Sequence, residues 1–464
     1  MREDHTDRTD ITGRHGGDLA GIAQHLDYIG DMGFTAIWLN PFLENDMDRT
    51  SYHGYATTDF SMPIPATGPT KNSALVDQAH SQGMKVIMDM IFNHIGRLHW
   101  WMDDLPSADW INPEAMTSHR RTVNQDPHAV ESDRTRFADG WFVPSMPDLN
   151  QRNPFLATYL IQNSLWWVEY AGLDGIRMDT YPYPDKDMMA RWNRRMEQEY
   201  PWFNIVGEEW SLEPALVAYW QRGQWNLDGY DGGLPSLMDF PLQSALTRSL
   251  LAEDGWDSGW LGLYETLAAD YLYPDPGNLV VFPDNHDMPR FFMQVGMDPA
   301  LYRLGIAFIL TTRGIPQIFY GSEIGMTHPE GDDHGFIRKD FPGGWAGDPV
   351  NGFTGAGLTP EQNELQAFFR TLLTWRKSSE AVHWGRLLHY APDKGSYVYG
   401  RILDDERVMV VLNKGRTDLD LDCGRFEELL DGRTRGRDVI SGKEYGLSAT
   451  LRVPARTALV LELE

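Results

Sequence analysis

Four short stretches place charged and polar side chains directly after apolar runs. They are Asp89–His94, Arg177–Asp179, Glu208–Glu209 and Asn285–Asp287. One acidic residue after a strand is ordinarily a helix cap or half of an ion pair. Four such strand ends on the same side of a parallel sheet instead indicate a site, because active-site side chains of an α/β barrel come from the carboxyl ends of its strands. The sequence therefore predicts a cluster of carboxylates, histidines and one arginine.

Two kinds of hydrolysis use such a cluster. Glycoside hydrolysis needs one acid and one nucleophile or base, and a third carboxylate can raise the pKa of the acid by repulsion between like charges. Hydrolysis by a divalent metal would also need grouped Asp, Asn and His. Arg177 precedes Asp179 by two residues, so the two side chains share a strand face. An arginine there suits an ionised nucleophile better than a dication, and loss of activity with a chelator would favour the metal alternative.

An alternation of strands and helices must carry these residues. Seven strand-like runs lie at 34–39, 85–92, 175–179, 203–208, 235–240, 279–282 and 315–320. Helical patterns cover 19–32, 74–82, 154–170, 186–200, 299–312 and 360–377. Such alternation predicts parallel strands with helical crossovers. We interpret it as an α/β fold, in which a closed (β/α)8 TIM barrel would need eight strands rather than these seven. An open doubly wound sheet is the alternative, although no Gly-x-Gly-x-x-Gly follows a strand.

Two further segments depart from the alternation. Residues 95–147 have weak periodicity and are too long for an ordinary connection, which predicts an inserted subdomain after the second of the seven strands. After Trp384 the pattern changes to short strand-like runs at 396–403, 407–413, 418–423 and 450–463. We expect a catalytic barrel over residues 1–383 and a C-terminal antiparallel β-sandwich over 384–464.

Composition excludes several classes of protein. Forty Lys and Arg against 67 Asp and Glu leave a net charge of −27, which disfavours nucleic acid and anionic membranes as partners. No apolar run reaches the roughly 18 residues of a membrane helix. The one cysteine, Cys423, permits no intrachain disulfide and is predicted to be an inert core residue. A neutral sugar is compatible with this charge.

The four stretches, in this order, resemble the conserved motifs of the α-amylase family of glycoside hydrolases. The resemblance extends over nearly the whole chain, including the C-terminal β domain and the inserted subdomain, which in the family follows the third barrel strand. Met146–Asn150 looks like a marker of the neopullulanase and cyclomaltodextrinase branch, and Ser51–Tyr55 and Arg338–Trp345 are also similar to that branch.

The resemblance implies a role for each matching residue. Asp179 would be the nucleophile, Glu208 the general acid and then base, and Asp287 the third carboxylate, which holds sugar hydroxyls. The other implied site residues are Arg177, which orients Asp179; His94 and His286 on sugar hydroxyls; Tyr55 beneath the sugar with His53 beside it; Arg338 in substrate binding; and Asp89 and Asn93 in support. A retaining mechanism would place the Asp179 and Glu208 carboxyl groups about 5–5.5 Å apart.

Other polar and aromatic residues are set aside. Glu209 follows Glu208, and adjacent strand residues point to opposite faces, so we expect Glu209 to face away from the site. The run His99–Trp101 could line substrate subsites or simply pack. His128 and His334 are predicted to be ordinary surface or loop histidines.

The chain also departs from the family. The resemblance implies a (β/α)8 TIM barrel that lacks its first strand, because no strand resembles the one that precedes the Gly16–Asp18 loop in the family. No N-terminal β domain is recognisable either, so we expect an N-terminally truncated chain. The resemblance then argues against a homodimer. Some relatives bind calcium through an upstream loop with residues equivalent to Gly16 and Asp18, and Asn93 is a second, weaker calcium position. Because the upstream half is missing, we predict no metal ligands and no required cofactor. The lack of a signal suggests the cytoplasm, or the periplasm if the native N-terminus is absent.

The resemblance implies a retaining hydrolase of α-1,4-glucosidic bonds in cyclomaltodextrins, maltodextrins or pullulan. One alternative is an α-glucan transglycosylase with the same catalytic residues. The other is a non-catalytic or inactive truncated barrel.

Overall fold

Alternating strands and helices build the first of two units into which the chain divides. The computed structural model describes residues 7–15, 17–63, 72–329, 331 and 333–464. The first unit comprises Met1–Gly30, Thr35–Met238 and Leu272–Pro274, and the second Asp31–Phe34, Asp239–Tyr271 and Asp275–Glu464. Residues 7–15 form turns without a strand, whereas residues 1–6 and Gly16, which the predictions also cover, lie outside the described residues.

The elements up to Met238 follow the predicted alternation except for an unpredicted antiparallel pair, β2 and β3. The strands are β1 (Ala36–Leu39), β2 (Leu43–Glu44), β3 (Asp59–Pro63), β4 (Lys85–Met90), β5 (Gly175–Met178), β6 (Asn204–Gly207) and β7 (Ser236–Leu237). The helices are α1 (Leu19–Gln24), α2 (Leu26–Asp31), α3 (Asn72–Ser81), α4 (Glu131–Ala138), α5 (Pro154–Ala171), α6 (Lys186–Glu199) and α7 (Pro214–Ala218).

Five of these strands form one parallel sheet in the order β1-β4-β5-β6-β7. Each was predicted from an apolar run, and the buried positions of β4 and β5 explain why those runs are nearly continuous. All five strands run the same way, so their carboxyl ends share one edge of the sheet. Asp179 and Glu208 follow β5 and β6 at that edge.

Helix ends agree with the sequence except at one place. Helix α5 begins at Pro154, where the Asn153 side chain accepts hydrogen bonds from two backbone N–H groups, and ends at Gly172 with φ of 71°. The single helix predicted over 19–32 is wrong. At His25 the backbone turns to φ −115°, ψ 12°, and its N–H donates to Ile22 O, which closes α1 one residue before α2 begins.

The inserted segment 95–147 contains short helices held by isolated bridges rather than a sheet. Residues 100–102 and 121–124 form 3₁₀ turns, and α4 packs Phe137 against Val123 and Tyr183. His99 and Trp101 are buried with ring centroids 4.4 Å apart, whereas Trp100 is half exposed. Packing therefore accounts for His99 and Trp101.

The second unit contains a parallel strand pair and an antiparallel β domain. Its helices are α8 (Phe240–Leu251), α9 (Trp260–Ala268), α10 (Phe291–Gln294), α11 (Pro299–Thr311), α12 (His334–Ile337), α13 (Pro360–Arg376), α14 (Glu380–Trp384) and α15 (Glu427–Leu430). Its strands are β8 (Val280–Val281), β9 (Ile315–Pro316), β10 (Arg386–Asp393), β11 (Ser396–Leu403), β12 (Glu406–Asn413), β13 (Leu419–Asp422), β14 (Arg435–Asp438), β15 (Glu444–Gly446), β16 (Thr450–Val453) and β17 (Thr457–Leu463).

Strands β8 and β9 pair in parallel and correspond to the last two predicted strands of the alternation. The C-terminal strands form a six-stranded sheet, β10-β11-β12-β17-β14-β15, and a separate pair, β13-β16. Apolar residues of both, Cys423 among them, share one core. The single strand predicted over 450–463 is wrong, because the chain turns at Arg456, where φ is 54°, and β16 and β17 pair with different strands.

No helix in the described part of the chain has the length and apolar character needed to cross a bilayer.

Candidate active site

A buried carboxylate and a buried guanidinium face each other at the centre of the parallel sheet. Asp89 on β4 is in register with Arg177 on β5, so the two side chains leave the same face of the sheet. Arg177 Nη1 donates to both oxygens of Asp89, at 2.9 and 3.1 Å. Trp38 on β1, in register with Ile87, lies on this face as well, and its indole N–H donates to Asp89 Oδ2 at 3.2 Å. Strand pairing thus assembles the base of the site.

The same guanidinium binds both candidate catalytic carboxylates of the first unit. Arg177 Nη1 lies 2.8 Å from Asp179 Oδ1, and Nη2 lies 2.7 Å from Glu208 Oε1. All three side chains are at least nine-tenths buried. The contact with Asp179 is a hydrogen bond, and the contact with Glu208 is a close ion pair, both made by one rigid planar group. Arg177 therefore holds the two carboxylates in a defined relation to one another.

A strained residue completes the link between Asp179 and Glu208. Thr180 has φ of 42°, a left-handed conformation that is unfavourable for a β-branched residue. In that conformation its backbone N–H donates to Glu208 Oε2 at 3.0 Å, and its hydroxyl donates to Asp179 Oδ2 at 3.1 Å. Gly207 precedes Glu208 where a Cβ would lie 2.9 Å from the Tyr181 ring, so only glycine fits without a shift.

Burial sets the electrostatics of this cluster. Burial raises the pKa of Asp89 to about 7, further raised by the Asp179 charge and opposed by Arg177. Burial disfavours the charge of Arg177, but Asp89 and Glu208 outweigh that effect, and the pKa of the guanidinium lies well above its ordinary value. Arg177 is thus always charged, whereas Asp89 can take up a proton near neutral pH.

Tyr55, His53 and His94 surround the cluster. The Tyr55 hydroxyl donates to Asp89 Oδ2 at 2.8 Å, and its ring lies 5.8 Å from the Arg177 guanidinium carbon. The ring of His53 stacks on that of Tyr55 at 6.0 Å, and its Nδ1 accepts the Tyr55 backbone N–H. His94 Nε2 lies 3.2 Å from Tyr55 O, which makes Nε2 the protonated nitrogen.

His94 is held neutral within the protein. Its Nδ1 faces the Asn93 amide at 3.2 Å, its ring stacks on Phe142 at 5.2 Å, and burial lowers its pKa. Both ring nitrogens therefore already have protein partners, and a sugar hydroxyl would have to share one of them.

Glu209 faces a different environment from Glu208. Its fully buried carboxylate accepts from Arg121 Nε at 2.8 Å and from the Trp220 indole N–H at 3.0 Å. Burial raises its pKa to about 7, opposed by Arg121. The two consecutive glutamates thus have separate partners, Arg177 for Glu208 and Arg121 for Glu209.

The remaining predicted site residues lie in the second unit, after β8. His286 Nε2 is 3.0 Å from Asp287 Oδ2, and Arg338 Nη2 donates to Asp287 Oδ1 at 2.5 Å. Arg338 Nε also donates to His286 O at 2.9 Å. His334, which we predicted to be an ordinary histidine, lies on α12 with Nδ1 3.4 Å from Asp287 Oδ1. The structure therefore groups His286, Asp287 and Arg338, with His334 as an unforeseen neighbour.

A buried arginine anchors the segment that carries Arg338. Arg290 donates to Ile337 O at 3.1 Å and to Tyr320 O, and its guanidinium lies 3.9 Å from the Phe319 ring centroid. Asp284 lies close to this guanidinium. Burial raises the pKa of Asp284 to about 6, and the positive charge of Arg290 opposes that rise.

Sequence reasoning missed Trp38, Thr180, Arg290 and His334. Trp38 lies in a predicted strand, but only the register of β1 with β4 shows that it shares a face with Asp89. Thr180 follows Asp179 directly, but its backbone conformation leaves no mark in the sequence. His334 lies four residues before Arg338, the spacing that places two side chains on one face of a helix.

The described residues do not assemble a calcium cage. Calcium takes six to eight oxygen ligands. Asp18 instead caps α1 by accepting from Gly21 N at 2.7 Å, and Gly16 lies outside the described residues. Asn93 Oδ1 is buried without a partner there, but no group of three or more His, Cys, Asp or Glu side chains in the described part is placed to hold a metal. We assign no catalytic step to a metal, and metal independence stays a prediction.

Comparison with known proteins matches nearly the whole chain to two domain families. Residues 4–384 match the alpha amylase catalytic domain, and residues 387–462 match the cyclo-malto-dextrinase C-terminal domain. A cyclomaltodextrinase from Geobacillus thermopakistaniensis (strain MAS1) is 29% identical over 86% of this chain and 62% of its own length. Neopullulanase 2 from Thermoactinomyces vulgaris is 29% identical over 86% of this chain and 63% of its own length. The chain thus spans less than two thirds of these two relatives.

The fold agrees with that of a solved relative. The crystal structure of an α-amylase from Geobacillus thermoleovorans, complexed with acarbose, matches with a TM-score of 0.82 and 28% identity, over 99% of this chain and 94% of that one. The predicted fold class, a TIM-barrel catalytic domain followed by a C-terminal antiparallel β domain, is confirmed. The chain belongs to the α-amylase family.

Proposed function

We propose that this protein is a retaining glycoside hydrolase that cleaves α-1,4-glucosidic bonds of cyclomaltodextrins, maltodextrins or pullulan. One observation carries the proposal: the guanidinium of Arg177 binds Asp179 and Glu208 at once, at 2.8 and 2.7 Å. Two carboxylates held together by one cation suit double displacement, in which one is the nucleophile and the other the acid. The names of the relatives agree with this substrate class.

In the first step Asp179 attacks the anomeric carbon, and the bond to the leaving oxygen breaks. Glu208, protonated at the start, gives its proton to that oxygen, so the leaving sugar departs as a neutral alcohol. In the second step Glu208 takes a proton from water. The resulting hydroxide-like oxygen attacks the anomeric carbon, and Asp179 is released.

The remaining residues bind and orient. Arg177 orients Asp179, at 2.8 Å, for its attack in the first step. Asp287 would hold sugar hydroxyls in the transition state, with His286 and Arg338 fixing the orientation of its carboxylate at 3.0 and 2.5 Å. Tyr55 would present its ring to the sugar while its hydroxyl remains bound to Asp89.

The test is hydrolysis of maltotriose and β-cyclodextrin by the chain and by Asp179→Asn. The wild-type chain should release glucose and maltose, and Asp179→Asn should lose at least about 10³-fold in kcat, because it removes the nucleophile. NMR of the first products should show the α-anomer for a retaining enzyme. Equal, background-level rates for both proteins would refute the proposal that this chain is a glycoside hydrolase. Products longer than maltotriose in the reaction with maltotriose alone would instead indicate transglycosylation.

A further inference from the structure

Glu209 has contacts that the proposed mechanism does not use. Its carboxylate is fully buried and accepts hydrogen bonds that include one from Arg121 at 2.8 Å and one from Trp220 at 3.0 Å. A buried carboxylate is expensive to keep unless cations and donors surround it. A site that needed only Glu208 could have an apolar residue here, so these contacts require an explanation.

Glu209 is directly coupled to the candidate acid through the main chain. The backbone of Glu208 is held on both sides. Its N–H donates to Met178 O at 3.0 Å, and its carbonyl accepts from Tyr181 N at 3.1 Å. The Glu209 carbonyl in turn accepts from Ser211 N at 2.9 Å. Together with these main-chain bonds, the contact of Glu209 with Arg121 restrains the segment of backbone from which Glu208 extends.

The other end of this contact lies in the inserted segment. Arg121 begins the 3₁₀ turn Arg121–Asn124, and the Asn124 amide donates to Pro182 O at 2.8 Å in the loop after β5. Tyr183 of that loop lies close enough to Arg121 and Glu209 for both charges to affect its pKa, which burial raises to about 12. The inserted segment thus contacts both the loop after Asp179 and the side chain of Glu209.

We propose that Glu209 is a positioning residue, through which Arg121 of the inserted segment sets the orientation of Glu208 as general acid. The inference rests on the proposed function and deepens it, because it gives the inserted segment a part in proton transfer. The insertion would then affect the step in which the leaving group is protonated, in addition to any contact that it makes with substrate.

The experiment compares two substrates that differ in their need for an acid. Maltopentaose has a sugar alkoxide leaving group that must be protonated, whereas fluoride leaves α-maltosyl fluoride without a proton from the enzyme. Glu209→Gln should lower kcat/KM on maltopentaose about 10-fold or more, since misplacing one catalytic group has effects of up to about 100-fold. The kcat/KM on α-maltosyl fluoride should stay within about two-fold, because this quantity covers only the steps up to departure of the leaving group and leaves out the second step, in which Glu208 acts as base for both substrates. Arg121→Gln should show the same selective loss.

A matched control lies one residue away. Arg120 is exposed, so Arg120→Gln makes the same chemical change without touching Glu209 and should leave both rates unchanged. The double variant Glu209→Gln/Arg121→Gln should be no slower than the slower of the two single variants, because each single change already removes the same ion pair.

Several results would overturn the proposal. Equal losses on the two substrates would mean a general structural role, and unchanged rates or additive losses would mean that the ion pair does not act on Glu208. If Glu209→Gln does not fold, as judged by circular dichroism, Arg121→Gln decides, because Arg121 is partly exposed. A wild-type chain that cleaves neither substrate would refute the proposed function itself, which is a separate outcome.

Discussion

Replacing Asp89 by asparagine should change the pH dependence of stability. Asp89 is fully buried, and its pKa is raised from 3.8 to about 7, chiefly by burial. Because the folded-state pKa lies above the unfolded value, the stability that this group contributes is complete below about pH 4 and is lost as the pH rises through 7. Asparagine keeps the shape and cannot ionise.

The size of the effect follows from the two pKa values. The interval from 3.8 to about 7, at 1.36 kcal/mol per pH unit, gives on the order of 4 kcal/mol. Relative to wild type, Asp89→Asn should therefore gain about 4 kcal/mol in free energy of unfolding between pH 4 and pH 8. Its hydrolytic activity should fall, because Arg177 and Tyr55 lose a charged acceptor that aligns them.

Urea unfolding followed by tryptophan fluorescence at pH 4, 6 and 8 measures this difference. Asp77 is exposed on α3, so Asp77→Asn removes one charge without a buried partner and should run parallel to wild type. If Asp89→Asn also runs parallel to wild type over this range, the reasoning about burial is wrong. If it is destabilised more at pH 8 than at pH 4, Arg177 outweighs burial and Asp89 is ionised throughout.

Two further predictions concern stability and metal. In the second unit Arg313 is buried and lies 2.6 Å from both Asp239 and Asp270, so Arg313→Leu should cost about 3–5 kcal/mol by leaving two carboxylates without their cation. Arg303→Leu, which removes an exposed contact to Glu364, should cost less than about 1 kcal/mol, and equal thermal shifts for the two variants would contradict this. Dialysis against EDTA should leave the hydrolysis of maltotriose unchanged, and a loss that added calcium restores would show that the activity needs the ion.

Strand positions and the order of site residues were predictable from the sequence. All seven strands of the alternation are present, because buried parallel strands are short apolar runs bounded by turns. The candidate residues after β4, β5, β6 and β8 were found for the same reason: a change from apolar to charged residues marks a strand end. Strands β2, β3, β10, β14 and β15 were not predicted. The last three begin with polar residues or consist largely of them, so their sequences show no clear alternation of apolar and polar positions.

Contacts between distant residues were not predictable. The sequence indicates that Asp89 and Arg177 both lie at strand ends. Their pairing depends on the register of β4 and β5, and a shift of one residue would turn the two side chains to opposite faces of the sheet. His334 appeared ordinary because nothing local shows that its helix approaches Asp287. Glu208 and Glu209 differ only in which partner each one reaches, Arg177 or Arg121.

The sequence by itself determined which residue types stand at the ends of which strands, and through its motifs the family and the chemistry to expect. Those properties are local, since periodicity and residue order depend on neighbours along the chain. Only the tertiary structure decided that one guanidinium binds Asp89, Asp179 and Glu208 together, that Thr180 adopts a left-handed conformation, and that the inserted segment binds Glu209. Those properties depend on strand register and on burial, which bring together groups up to 119 positions apart and set the pKa of Asp89 and Glu209 near 7.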